Sequence, residues 1–496
     1  MDNKRASWSG QLAFVLAAAA SAIGLGNLWR FPYLAAQYGG GIFIVIYLIL
    51  VTTLGFTLMT TEIAIGRMTS QSQLTAYSKL HKGWGFIGIL GTIVPALIVP
   101  YYCIIGGWVL KYLVAYAKMA FTGVALMGEG AAGAGDFFGN FITSPFAPFG
   151  YGIIFIIACA GVIVMGVKNG IEKSNLVMMP ILFVMAIAIS LYVISMPGAS
   201  DGLRYYLVPN FSSLCGPDGK FSVALLAKTI LGAMGQMFYS LSLAMGIMIT
   251  YGSYMRSADS IERSVRRIEI FDTIIAIVAG LMIIPVVYMF AIKTGTPVKE
   301  AMNAGPGLMF ITLPKVFAML GTAGNWLGLS FFILVTFAAA TSAISLYEAC
   351  VASVCDLLDM KRRNATFFMF FVIAFFAVFS ALGYGPWSGV TFSALFTKLG
   401  CTGEWATGAV PSMQGLDFFD FITNSILMPI IALCTCFFVG WVIKPKAIID
   451  EVEREGHPFK AKSFFSFMTK WVAPLLLIAI LVSEICRNLG IGGWKI

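Results

Sequence analysis

Ser21, Gly24, Gly26, Asn27 and Arg30 fall within a stretch that is otherwise apolar from Leu12 to Leu34. A run of that length can cross the hydrocarbon core of a bilayer. Its middle is poorly made for an ordinary spanning helix, because two glycines, a serine and a carboxamide stand close together and an arginine is costly at that depth. Backbone that unwinds inside a membrane is tolerated only where it lines a cavity or is covered by protein. These residues therefore suit a broken helix whose freed carbonyl and N–H groups hold a ligand. The alternative is a small-residue packing face with a snorkelling arginine. A second such stretch runs from Gly235 to Gly246, where Tyr239, Ser240, Ser242 and several small residues collect in mid-span.

The elements that must position these groups follow from composition. Of 496 residues, 59% are hydrophobic and 11% charged, with a mean hydropathy of +0.88, which marks a polytopic α-helical membrane protein without a sizeable soluble domain. Segments long enough to span occur at about 11–37, 41–66, 87–121, 150–167, 174–196, 222–255, 268–293, 326–356, 365–383, 416–443 and 464–489, so eleven transmembrane helices are expected.

A net charge of +9 would suggest a nucleic-acid partner in a soluble protein, but the basic residues gather in alternate loops. Lys4 and Arg5, Lys79 and Lys82, Lys168 and Lys173, Arg256 to Arg267, Lys361 to Arg363, and Lys444 to Lys462 form these clusters. That asymmetry places those loops and the N-terminus in the cytoplasm. With eleven crossings the C-terminus, at Trp494 and Lys495, lies outside. The expected location is the cell inner (plasma) membrane, with lipid and a small molecule as partners and neither nucleic acid nor an obligate protein partner. The first residues are too short and too charged for a cleaved signal peptide. The nine cysteines show no metal-binding spacing; Cys103, Cys159, Cys350, Cys434 and Cys436 read as small hydrophobes, and a Cys215 to Cys401 bridge on the outer side stays open.

Helices one and six head two successive five-helix sets. The chain divides into a cytoplasmic segment 1–10, a first repeat 11–196, an extracellular loop 197–221, a second repeat 222–443, a cytoplasmic loop 444–463, and an eleventh helix with the C-terminus at 464–496. Paired interruptions at corresponding positions of two halves point to a midplane binding site in an inverted-repeat transporter.

The run Ala22-Ile23-Gly24-Leu25-Gly26-Asn27, continuing through Trp29-Arg30-Phe31-Pro32 to Gly39-Gly40-Gly41, strongly resembles the first helix of neurotransmitter:sodium symporters. So do Tyr101-Tyr102, the stretch from Gln236 to Gly246, and Ala338-Ala339-Ala340-Thr341-Ser342. The resemblance covers the chain from Trp8 to the eleventh helix, and the departure is the absence of a twelfth. It implies the all-α LeuT fold, a five-plus-five inverted repeat with helices one and six broken.

Sodium is a hard cation and takes oxygen ligands. The resemblance puts a first sodium on the Ala22 carbonyl, Asn27, Ser240, Asp272 and the substrate carboxylate. It puts a second on the carbonyls of Ala20, Ile23 and Ala338 with the hydroxyls of Thr341 and Ser342. Read locally, Thr341 and Ser342 would instead bond back to their own helix, and Asp272 would cap or solvate the inner end of helix seven.

The resemblance also implies an amino acid between the broken helices. Its carboxylate would meet Gly24, Gly26 and the Tyr102 hydroxyl, and its ammonium the carbonyls near Ala22, Tyr239 and Ser242. The side-chain pocket of Ile98, Tyr102, Tyr239, Ala244, Met245, Ser342 and Leu346, with Ser240 also counted among the substrate-binding residues, carries no charge, so a neutral, hydrophobic side chain is expected. Two charge pairs look like gates. Arg30 would face Asp420, with Asp417 as the alternative, and Arg5 beside Trp8 would face Asp356, supported by Ser253 and Tyr254.

The resulting expectation is a sodium-coupled symporter importing a neutral L-amino acid by alternating access, with helices one, two, six and seven rocking against the rest. No chloride is expected to be required, because Asp272 and the substrate carboxylate can balance two sodium ions. A proton-coupled amino-acid permease of the same fold is the alternative. An ion channel would need repeated rings of charge or carbonyls along a polar pore. An enzyme is not expected, since His81 and His457 are the only histidines and both fall in loops.

Overall fold

Segments rich in Leu, Ile, Val and Phe must close their backbone hydrogen bonds internally when no water is at hand, and a helix does this within one segment. The structure is a computed structural model describing residues 5–127, 133–216, 218–302, 305–388 and 415–489, apart from the side chains of Asp417 and of residues 487–489. It is helical throughout. Among the described residues strand-like pairing is limited to two isolated bridges, Gly40 with Pro209 and Cys215 with Phe221.

Among the described residues, nine helices are long and apolar enough to cross a membrane: two (Gly41–Thr69), three (Lys82–Thr122), four (Ala147–Val164), five (Val167–Ile194), seven (Ile261–Thr294), eight (Gly321–Leu358), nine (Arg362–Leu382), ten (Phe418–Val442) and eleven (Lys462–Cys486). Helix one makes a tenth as a pair, Gln11–Ala22 and Gly26–Gln37, bent by 54°. Helix six consists of Val223–Ser240 and Ile247–Gly252, joined by non-helical residues. The expected count of eleven is therefore reached only if both pieces of helix six belong to one crossing. The expected bridge partner Cys401 and the C-terminal Trp494 and Lys495 lie outside the described residues.

Capping follows local chemistry. Ser222 and Ser260 accept the N–H of Leu225 and Arg263 at the starts of helices six and seven, and Gly123 and Gly295 close helices three and seven at φ +70 and +69. Helix eight forms the spine of the molecule, packing on helices one, three, four, five and nine, while helix one lies between helices seven and eight.

The face that gathers the basic loops is tied together by buried groups. Trp8, 1% exposed, donates from its indole to the Tyr251 carbonyl at 3.0 Å and packs edge-on against Tyr251 and Tyr254. Arg67, at the end of helix two, pairs with Glu451 at 2.6 Å and reaches the Asp259 carbonyl at 2.7 Å, joining three loops of that face.

Helix two approaches the second piece of helix six so closely that only glycine fits at the crossing. A Cβ on Gly66 would stand 2.0 Å from the Ile249 carbonyl oxygen, and one on Gly252 would stand 2.5 Å from that of Ile63. Gly66→Val should therefore destabilise the protein by about 1–3 kcal/mol, the usual result of overpacking. Thermal unfolding in detergent would register this as a lowered midpoint; an unchanged midpoint would show that the crossing is not tight.

Candidate functional site

Helix six loses its helical geometry because three residues in alternation, Ser242, Ala244 and Gly246, have φ of +52, +57 and +74. For Ser and Ala this left-handed geometry costs about 1–2 kcal/mol each, so the surroundings must hold it. The Glu62 carboxylate on helix two accepts the Ala244 N–H at 2.7 Å, and the Ser242 hydroxyl donates to the Ser21 carbonyl at 3.1 Å. The same Ser21 carbonyl, at the break of helix one, accepts the Ser342 hydroxyl of helix eight at 3.0 Å. The two breaks thus face each other and are bonded across the gap.

One polar cluster lies on the side of helix seven. Asp272, fully buried, accepts Asn27 at 2.8 Å, Ser240 at 2.8 Å and Tyr47 at 3.0 Å, which brings helices one, six and two onto one carboxylate. Asn27 also donates to Ser240 at 3.0 Å and accepts the Gly24 N–H at 3.3 Å, and Gln236 donates to the Gly26 carbonyl at 3.2 Å. Asn27, Ser240 and Asp272 are thereby brought together beside the Ala22 end of helix one. Asp272 is not a helix-end cap.

On the helix-eight side, Ala20, Ile23, Ala338 and Thr341 are all fully buried. The Thr341 hydroxyl donates back to the Phe337 and Ala338 carbonyls at 3.0 and 3.1 Å, as its local chemistry alone would have it. A hydroxyl that donates its hydrogen keeps lone pairs for a cation, so this contact is compatible with ligation. Ser342 instead crosses to helix one.

Beside the polar cluster of Asn27, Ser240 and Asp272 lies a cavity lined by Ser21, Ala22, Gly24, Gly26, Asn27, Ile98, Tyr102, Tyr239, Ser242, Met245, Ile247, Ser342 and Leu346. Its space open to the centre of a water molecule is about 20 Å³, so an amino acid would need side chains to move. Tyr102 accepts the Leu25 N–H at 3.3 Å. A Cβ on Gly24 would stand 2.6 Å from the Ser342 hydroxyl, and one on Gly26 would stand 2.4 Å from the Tyr239 ring. Glycine is thus required at both positions for the walls to close.

Of the residues expected in the pocket, Ser240 and Ala244 are not in the lining: Ser240 is turned onto Asp272, and Ala244 is held by Glu62. Ser21, singled out at the break of helix one but not assigned to the pocket, lines it, and so does Ile247, which the sequence did not single out. Ile247 is an apolar residue within an apolar helix and does not stand out by type.

At the two ends of the cavity the charges differ in arrangement. Arg30 lies over the Tyr239 ring at 5.8 Å, while Asp420 accepts the Tyr101 hydroxyl at 3.0 Å and the Asn424 amide. Among the described residues Arg30 and Asp420 form no direct ion pair, and the side chain of Asp417 lies outside those residues. On the basic face Arg5 pairs with Asp356 at 2.6 Å, donates to Ser253 at 2.9 Å, and sits 5.1 Å above the Tyr254 ring. Asp356 also accepts the Ser72 N–H at 2.6 Å.

A further pair was missed from sequence: Glu348, fully buried in helix eight, is bonded bidentately by Arg362 and accepts the Tyr254 hydroxyl at 2.8 Å. The available signal was a carboxylate inside an otherwise apolar span with a basic cluster just beyond its end. Glu62 carried the same signal in helix two. Among the described residues no group of His, Cys, Asp and Glu is arranged for a transition metal.

Comparison with known proteins gives the family. The model of the sodium:neurotransmitter symporter family matches residues 5–122 and 151–492. An uncharacterised sodium-dependent transporter of Bacillus subtilis is 31% identical over 98% of this chain and 98% of its own length, and one of Methanocaldococcus jannaschii is 30% identical over 99% and 93%. The crystal structure of MhsT in complex with L-phenylalanine superposes with a TM-score of 0.81 at 31% identity, covering 97% of this chain and all of that one. With matches spanning nearly its whole length, a LeuT-type fold and a polar site between two broken helices, the chain is a polytopic membrane transporter and belongs to the sodium:neurotransmitter symporter family.

Proposed function

We propose that this transporter imports a neutral, hydrophobic L-amino acid with two sodium ions and without chloride, from the outside of the cell inner membrane to the cytoplasm. The observation that carries the reading is the cavity itself, which no described Asp, Glu, Lys or Arg lines and beside which Asn27, Ser240 and Asp272 form an oxygen-rich cluster. A charged substrate side chain would be left unpaired there. MhsT, crystallised with L-phenylalanine, is a similar protein bound to such a ligand. The first sodium is assigned to Ala22, Asn27, Ser240 and Asp272, and the second to Ala20, Ile23, Ala338, Thr341 and Ser342. Substrate is assigned to Ala22, Gly24, Gly26, Ile98, Tyr102, Tyr239, Ser242, Met245, Ser342 and Leu346, all of which line the cavity. The basic face is assigned to the cytoplasm, where Arg5 and Asp356 act as inner gate. Arg30 and Asp420 serve as the outer gate in a more closed conformation.

Chloride independence rests on Asp272. A fixed carboxylate bonded to Asn27, Ser240 and Tyr47 supplies a negative charge where the first sodium is assigned, and the substrate carboxylate supplies the second. A neighbouring anion then has no charge to balance.

Asn27→Ala and Thr341→Ala should each raise the sodium needed for half-maximal substrate binding tenfold or more, about 1.4 kcal/mol. Binding in the parent protein that ignores sodium would sink the assignment. In competition assays, Leu, Ile, Val, Met and aromatic amino acids should displace a labelled substrate, and Lys, Glu and monoamines should not; dopamine competing as well as leucine would refute the substrate class. Sodium-driven uptake should persist when chloride is replaced by gluconate, and Asp272→Asn should abolish uptake or make it chloride-sensitive. Collapse of the parental rate in gluconate would show that Asp272 does not replace the anion.

A further inference from the structure

Asn175 on helix five is, among the described residues, a buried carboxamide with both polar atoms unpartnered, whereas the other buried side chains in that condition, such as Thr60, Thr250 and Ser380, each leave a single atom so. It is 1% exposed, and neither its amide nitrogen nor its amide oxygen has a hydrogen-bond partner among the described residues. Burying such a group unsatisfied costs about 1–3 kcal/mol, which an apolar side chain of similar size would avoid.

Its position is bracketed by two neighbours. The buried stripe of helix five comprises Asn175, Met179, Leu182, Ala186, Ile189 and Val193, so Asn175 shares a face with Ile189. Ile189 borders an apolar groove against Ala323, Trp326 and Leu327 of helix eight. The two helices run in opposite directions. Moving about 21 Å from Ile189 to Asn175, at about 1.5 Å per residue, therefore leads along helix eight from Leu327 to the neighbourhood of Thr341. From the other side, the Ser9 N–H donates to Glu172 at 3.0 Å, so the N-terminal segment bearing Arg5 and Trp8 crosses helix five less than one turn before Asn175. Helix one packs against both helices five and eight. Reckoned this way, from the helical rise and the two bracketing contacts, Asn175 falls between the level of Thr341 and the segment that closes the basic face.

A carboxamide suits that place chemically. Its oxygen is a hard donor for sodium, and its nitrogen can bond a carbonyl or a water that accompanies the ion. We propose that Asn175 is a transit ligand, taking sodium from the second cluster through its amide oxygen as the ion moves toward the cytoplasm, and so setting the rate of ion release rather than the affinity of ion binding. This inference rests on the assignment of the second sodium to that cluster.

The test compares the parent with Asn175→Leu and Asn175→Ser in proteoliposomes, measuring the sodium dependence of substrate binding and the rate of sodium-driven uptake per folded transporter, with Asn175→Ala replacing the leucine variant if it does not fold. The expected result is uptake slowed tenfold or more in Asn175→Leu, with the sodium needed for half-maximal binding changed less than about threefold, and a rate largely recovered in Asn175→Ser, which restores an oxygen. Parental uptake in Asn175→Leu, a binding defect equal to the rate defect, or a loss that serine does not recover would each overturn it in favour of a structural role. Thr341→Ala is measured in parallel. An unchanged sodium requirement in that variant would remove the second cluster on which the inference rests, whereas a raised requirement together with parental uptake in Asn175→Leu would overturn the role of Asn175 alone.

Discussion

Backbone inside a hydrocarbon layer has no water to bond, so each residue taken out of helical geometry there needs a partner from the protein. Each of the two breaks meets this demand with side chains from another helix. Glu62 reaches from helix two to the Ala244 N–H, and Ser242 reaches to the Ser21 carbonyl, itself exposed by the break in helix one. Ser342 from helix eight shares that carbonyl. The breaks are therefore mutual supports, and the positions of helices two and eight follow from having to supply the remaining bonds. Close contact at Gly66 and Gly252 is what lets helix two come near enough.

The distribution of charge follows the same reasoning. A buried carboxylate is tolerable when donors converge on it, and Asp272 collects them from three helices while Glu348 collects Arg362 and the Tyr254 hydroxyl. Asp272 joins helices one, two and six to helix seven, the set expected to move as one body in alternating access. Glu348, Asp356, Arg5 and Tyr254 join helices six and eight to the N-terminal segment on the basic face. The first network lies within one proposed body and the second lies between bodies, so a rocking motion would leave the first intact and open the second. The cavity carries no charged side chain among its described lining residues, in keeping with the proposed ligand, which brings its own two charges and a neutral side chain.

Much of this was legible in the sequence. The membrane class, the spanning segments and the two interruptions follow from composition and from glycine, serine and asparagine standing in apolar runs, because such residues weaken a helix whatever surrounds them. The pocket residues Ile98, Tyr102, Tyr239, Met245, Ser342 and Leu346 were named by resemblance, and all of them border the cavity. What remained hidden depended on partners far away in the chain. Neither Ser21 nor Glu62 announces by type that it holds a residue of helix six, and the pairing of Glu348 with Arg362 needs helices eight and nine to be placed first. Thr341 shows the limit from the other side, since its hydroxyl makes the bond that its own helix dictates. Local chemistry determines where a helix must fail, because that failure is a property of the segment alone; which groups then satisfy the freed backbone is decided only by tertiary structure, because they arrive from other helices at hydrogen-bonding distance.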